Sequence, residues 1–211
     1  ALFIKPYFPQ VDIQNMRFSS SNIFSFKVNN KFEIDNLKFE SKVLINDILI
    51  GNNYNLKNFL PNIKEKFNFS DHELSIKYNN GDLNLDGKGK ILIQNKEDFL
   101  SYSIDKKNDN FNFKTSFKID NNPLKINVLN YEKNKSIIQI EGSKNKKKQI
   151  FIKFFSINIK KDQITVKNLK LNKKLEIIKL DSLSLDYTDK ENQKNQIKIY
   201  NKKDEYILNG S

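Results

Sequence analysis

The chain has 211 residues, a formal net charge of +12, no cysteine, no tryptophan and one histidine. The lack of cysteine excludes disulfides, thiolate catalysis and cysteine-ligated metals. No apolar run approaches the roughly 18–20 residues that span a bilayer as a helix. The abrupt start at Ala1-Leu2-Phe3 and stop at Asn209-Gly210-Ser211 read as a piece of a longer protein.

Pro6 and Pro9 predict an extended lead-in. Strand patterns follow at Asn22 to Val28, Lys31 to Ile34 and Asn36 to Phe39, with denser apolar triplets at 43–45 and 48–50. Leu56, Phe59, Leu60, Ile63 and Phe67 recur at spacings of three and four, which predicts a short helix near residues 55–67, broken at Pro61. Residues 1–70 are read as an N-terminal β section with this helical segment.

Residues 71–211 are read as a repetitive antiparallel section. Apolar and polar side chains alternate there with a period of two, most clearly in Phe111-Asn112-Phe113-Lys114-Thr115-Ser116-Phe117-Lys118-Ile119. Successive strand side chains point to opposite faces, so each segment has one apolar and one wet face. Leu74-Ile76-Tyr78 and Leu83-Leu85 flank Asn79-Asn80-Gly81-Asp82, a hairpin signal. Further strands follow down to Tyr206-Leu208, joined by Asn, Asp and Lys turns such as Asp120-Asn121-Asn122-Pro123. Spacings this short leave no room for parallel crossovers.

The basic charge does not imply nucleic acid. Arginine, which grips phosphate bidentately, occurs once, at Arg17, while Lys, Asn and Ile abound, as AT-rich coding produces. The cluster Lys144, Lys146, Lys147 and Lys148 reads as a solvated hairpin tip. His72, in Ser70-Asp71-His72-Glu73, reads as a surface turn, since no second His or Cys completes a metal site. Gly87-Lys88-Gly89-Lys90 reads as a turn or bulge rather than a phosphate loop. Asp181 and Asp186 are expected to face water, and no catalytic constellation, metal or cofactor motif is present, so a non-enzymatic protein is expected.

Seventeen phenylalanines, several on alternating positions, including Phe151 and Phe154, need cover. A β-sandwich core and an open apolar groove demand the same alternation, and the filled core is the commoner solution.

Two stretches carry a resemblance. Leu83-Asn84-Leu85-Asp86-Gly87-Lys88-Gly89-Lys90-Ile91-Leu92-Ile93 is similar to strand-Gly-strand phrases of AsmA-like proteins. Tyr206-Ile207-Leu208-Asn209-Gly210-Ser211 resembles the opening of a phrase common in the YhdP branch of that family. The resemblance covers about Glu73 to Ser211. It implies an all-β fold: an elongated antiparallel sheet of many short strands, curled into an open groove, with a β-sandwich as the alternative. It also implies a periplasmic segment of an inner-membrane-anchored envelope protein, whose groove carries phospholipid acyl chains between inner and outer membrane. The partners implied are phospholipid, a membrane reached through an anchor outside this segment, and other envelope proteins. The residues implied to line the groove are Leu83, Leu85, Ile91, Ile93, Phe111, Phe113, Phe117, Ile119, Leu124, Ile126, Val128, Ile138, Ile140, Ile164, Val166, Leu169, Leu171, Leu183 and Leu185. The alternative function is a non-enzymatic structural or adhesive β-sandwich module.

Overall fold

The computed structural model describes residues 13–52, 56–203 and 205–211. They form one open antiparallel sheet of 13 strands. In chain order the strands are β1 (Ile13–Val28), β2 (Ile34–Gly51), β3 (Lys66–Asn79), β4 (Asp82–Leu92), β5 (Asp98–Lys107), β6 (Asn110–Ile126), β7 (Tyr131–Lys144), β8 (Ile150–Ile159), β9 (Asp162–Leu171), β10 (Ile177–Lys179), β11 (Ser182–Thr188), β12 (Lys194–Lys202) and β13 (Glu205–Gly210). Strands pair in sequence order, except that β9 pairs with β10 near one end and with β11 along the rest. Eleven spacings separate β1 from β13, about 53 Å at about 4.8 Å each. No second sheet lies against this one among the described residues. The sheet is uncurled over most of its length, and closure is confined to one end of the strands.

Several strands are longer than the alternation predicts, because interruptions read as turns are absorbed as bulges. Asp120-Asn121-Asn122-Pro123 does not reverse the chain but lies inside β6, at a register shift between Ile119 and Pro123. Asn122 is buried and holds the bend: its Nδ2 donates to the Asp98 carboxylate and to the Lys96 carbonyl, both at 2.6 Å. An extra residue bends the strand and increases its twist. The predicted helix near 55–67 is a single turn: the Phe59 and Leu60 amides both donate to the Leu56 carbonyl, at 2.9 and 2.8 Å. Pro61 has no amide to continue it, and Lys64 instead donates to Ile93 O. The lead-in at Pro6 and Pro9, and residue 55, lie outside the described residues. A division at residue 70 falls inside β3, which continues the same ladders.

At one end of the strands the loops close over the sheet. The tip of the β6–β7 hairpin, a 3₁₀ turn at Asn127–Leu129, reaches past β8 and β9 to the β11–β12 turn, where the Lys190 amide donates to Asn130 O at 3.0 Å. On the other side Lys125 donates to Phe59 O at 2.8 Å. Beneath lie Leu60, Ile91, Ile93, Ile119, Leu124, Ile126, Tyr131, Ile157, Ile159, Ile164, Leu185 and Tyr187, the core of the molecule.

Four turns share one five-residue pattern: 29–33, 145–149 and 172–176 at the open end, and 189–193 at the closed end. The first residue, Asn29, Asn145, Asn172 or Asp189, exchanges backbone hydrogen bonds with the fourth and fifth at 2.9–3.3 Å. Its side-chain Oδ1 also accepts from the fifth amide at 2.9–3.1 Å. The fourth residue, Phe32, Lys148, Leu175 or Asn192, sits at positive φ, between 58° and 65°. The expected β3–β4 hairpin closes through Asn80 and Gly81, both also at positive φ.

Candidate functional site

Residues directly opposite in antiparallel strands share a face, so the registers define rows across the sheet. One row runs through every strand of the main path. It comprises Ser20, Val43, Leu74, Gly87, Tyr102, Thr115, Ile140, Phe155, Val166, Leu183, Ile199 and Leu208. The row above it, toward the open end, contains Ile76, Leu85, Ile104, Phe113 and Ile152. The row below contains Ile45, Leu100, Phe117, Ile138, Ile157, Ile164, Leu185 and Ile197. Together they make a continuous apolar face.

The residues singled out in the sequence divide into three groups on this frame. Leu83, Leu85, Phe111, Phe113, Phe117, Ile138, Ile140, Val166, Leu169, Leu171 and Leu183 are half-buried, and of these Phe117, Ile138 and Leu183 pack against the buried core of the closed end. Ile91, Ile93, Ile119, Leu124, Ile126, Ile164 and Leu185 are buried in the closed end. Val128 stands apart on the β6–β7 tip, 88% exposed, because the strand has ended there and the 3₁₀ turn directs it outward. Val43, Leu74, Ile76, Tyr102, Phe155, Ile199 and Leu208 belong to the same face and were missed, although Leu74-Ile76-Tyr78 shows the alternation. Phe151 and Phe154 lie with the polar residues Lys114 and Glu141 instead. The register shift opposite Glu141 and Gly142 falls between them in β8 and brings both to this face.

His72 is not on a surface turn. It is 1% exposed, within a bulge of β3 opposite Gly89. Its ring meets Phe69 edge to face at 5.5 Å and stacks on Tyr102 at 5.6 Å, and Nε2 lies 3.2 Å from the Tyr102 hydroxyl. Gly87 and Gly89 lie within β4, not in a turn, and make room for this cluster. A Cβ on Gly87 would lie 2.5 Å from Tyr102 Oη, and one on Gly89 2.5 Å from His72 Cα. Burial holds the imidazole below its ordinary pKa and pushes the Tyr102 hydroxyl up to about 12. The apolar face is thus continued over the glycines by aromatic rings rather than interrupted by them.

The opposite face is polar and crossed by ion pairs, Lys88 with Glu73 at 3.0 Å and Glu141 with Lys153 at 2.8 Å and Lys114 at 3.5 Å. A depression of about 880 Å³ on it is lined by Ser19, Ser21, Lys42, Leu44, Glu73, Ser75 and Lys88. Asp186 faces this side, as its bond from Gln196 indicates, while Asp189 is tucked in its own turn. Among the described residues no cluster of three His, Cys, Asp or Glu could hold a metal, and no helix is long and apolar enough to cross a membrane. The apolar face offers a surface along which an apolar partner can lie.

No protein-family model, no curated protein and no solved structure matches the chain.

Proposed function

We propose that this protein is a section of an AsmA-like envelope protein and carries phospholipid acyl chains along its apolar sheet face, in the periplasm, between inner and outer membrane. The observation that supports this reading is the apolar row from Val43 to Ile199, half-buried at its side chains, with Leu208 exposed beyond it, and without a second layer above it among the described residues. Apolar surface of this extent favours a cover. An acyl chain gains about 0.8 kcal/mol for each CH₂ it removes from water. A face without a deep pocket lets a chain slide with small barriers, while the head group stays at the wet rim. Lysines near that rim attract anionic head groups by about 1 kcal/mol each. The reading involves no catalysis, and anchorage comes from outside this segment.

The test is mass spectrometry of lipids extracted from the protein, expressed in a bacterial periplasm and purified without detergent. Phospholipid in stoichiometric amount is expected. It is expected to be lost in Phe113→Asp and Leu85→Asp, half-buried positions on the apolar face outside the closed-end core, and kept in Ser103→Asp on the polar face. A monodisperse, lipid-free protein overturns the reading and favours the structural or adhesive module.

A further inference from the structure

The open end of the strands has a second apolar feature, separate from the sheet face. Phe32 is 90% exposed and Leu175 64% exposed, each in the fourth position of the recurrent turn. That position is left-handed, where residues other than Gly, Asn and Asp are disfavoured. At the closed end the same position holds Asn192, which suits it. The turn therefore does not require Phe or Leu, and both stand in water. Ile34, Ile177 and Ile178 are exposed beside them. Charged residues flank these side chains: Lys31 with Glu33 and Asp35 on the first tip, Lys173 and Lys174 with Glu176 on the third, and Lys147 and Lys148 on the tip between. Among the described residues Lys146 pairs with Asp109 at 3.2 Å, and none of Lys147, Lys148, Lys173 and Lys174 makes an ion pair. The two apolar tips, between β1 and β2 and between β9 and β10, are eight strand spacings apart, about 38 Å.

We infer that this end of the sheet docks on an anionic lipid bilayer, with Phe32, Leu175, Ile177 and Ile178 entering the boundary between head groups and acyl chains and the lysines of the tips meeting lipid phosphates. Charge complementarity at the second and third tips, where lysines outnumber acids, selects this partner. Apolar side chains interleaved with unpaired lysines bind anionic interfaces by burial and attraction together. Two apolar contacts far apart on one rigid sheet also reinforce each other once the first has formed. The inference stands apart from acyl-chain carriage, because a sheet can dock without lipid on its face and can carry lipid without docking.

The experiment is co-sedimentation with vesicles of phosphatidylcholine and phosphatidylglycerol, about three to one, beside vesicles of phosphatidylcholine alone. Binding only to the anionic vesicles is expected, lost at about 1 M salt, where screening acts within roughly 3 Å. The double variant Phe32→Asn, Leu175→Asn is expected to bind at least about tenfold more weakly while melting no lower than the parent, since Asn suits both turns. Lys173→Glu with Lys174→Glu is expected to weaken binding to anionic vesicles alone. Val128→Ser, at the closed end, is expected to change nothing. Absence of binding at low salt, equal binding to both vesicles, undiminished binding by the double Asn variant, or an equal loss in Val128→Ser overturns the inference. Lipid extraction reads carriage separately, so either reading fails without the other.

Discussion

Tyr131 and Tyr187 meet edge to face with ring centroids 5.6 Å apart, although β8 and β9 lie between the strands that carry them. The contact exists because β7 overruns the β8–β9 hairpin, whose last pair is Ile159 with Asp162. Ile157, Ile159 and Ile164 are sealed beneath it. Burial, and then Asp162, push the Tyr131 hydroxyl well above the ordinary tyrosine range. Tyr131→Ala is expected to lower stability by about 3–5 kcal/mol, as large aromatic truncations do in cores. A double-mutant cycle with Tyr187→Ala is expected to show a coupling of about 0.5–1.5 kcal/mol. Urea denaturation of the four proteins reads both, and strict additivity would remove the contact from the account.

The glycines of β4 yield a graded prediction. Gly89→Ala places a methyl against the His72 backbone, 2.5 Å from Cα, where a strand must move. Gly87→Ala meets the outer end of the Tyr102 ring, which can swing aside. Overpacking costs about 1–3 kcal/mol, with Gly89→Ala expected in the upper part of that range and Gly87→Ala in the lower. Adding Tyr102→Leu is expected to relieve Gly87→Ala and leave Gly89→Ala unrelieved. Thermal melts of the four variants check the order.

His72 makes stability depend on pH in a defined direction. Its folded-state pKa is depressed by burial, so the folded protein favours the neutral ring. That contribution is fully present above the unfolded value of about 6.5 and is lost as pH falls through the folded value. The flanking Asp71 and Glu73 are paired with Lys90 and Lys88 on the polar side and do not stabilise the imidazolium. Tyr102, with its raised pKa, stays neutral throughout. His72→Gln, neutral at every pH, is expected to lose less stability than the parent between about pH 7.5 and pH 5. Equal losses in urea midpoints would exclude His72 as the source.

The recurrent turn predicts opposite effects at neighbouring positions. Asn172 Oδ1 accepts from the Lys174 and Glu176 amides at 2.8 and 3.1 Å, and Nδ2 donates to Glu176 Oε2 at 2.6 Å. Asn172→Ala is expected to cost about 1–2 kcal/mol and to speed amide exchange in β10, which rests on this turn. Leu175→Asn is expected to stabilise by about 0.5–1 kcal/mol by relieving the left-handed conformation. Hydrogen exchange and melting on the two variants decide it, and a destabilised Leu175→Asn would mean that Leu175 is held by contacts other than the turn.

Strand content, antiparallel order and the apolar and polar faces were legible in the sequence, because a period of two is a local property of an extended chain. Leu83-Leu85, Phe111-Phe113-Phe117 and Leu183-Leu185 carry it in the order in which they line the sheet. Phe151 and Phe154 show the limit: an unbroken strand would hold them on opposite faces, the bulge between them puts both on the polar face, and a bulge depends on the partner strand. His72 and the two glycines misled for the same reason, since each is chosen to fit a residue on another strand. Asn122 looks like a turn former locally but is a buried tie to Asp98, distant in the chain.

The chain's own residues determined that it would form one-sided antiparallel strands with tight polar turns, because alternation and Asn-based turns act over a few residues. Only the tertiary structure decided that these strands form a single open sheet, that its apolar face is closed at one end and, among the described residues, uncovered elsewhere, and that Phe32 and Leu175 stand at the same open end. Those outcomes depend on register, bulges and contacts between strands far apart in the chain, where hydrophobic burial and hydrogen-bond pairing select among many arrangements that share the same local pattern.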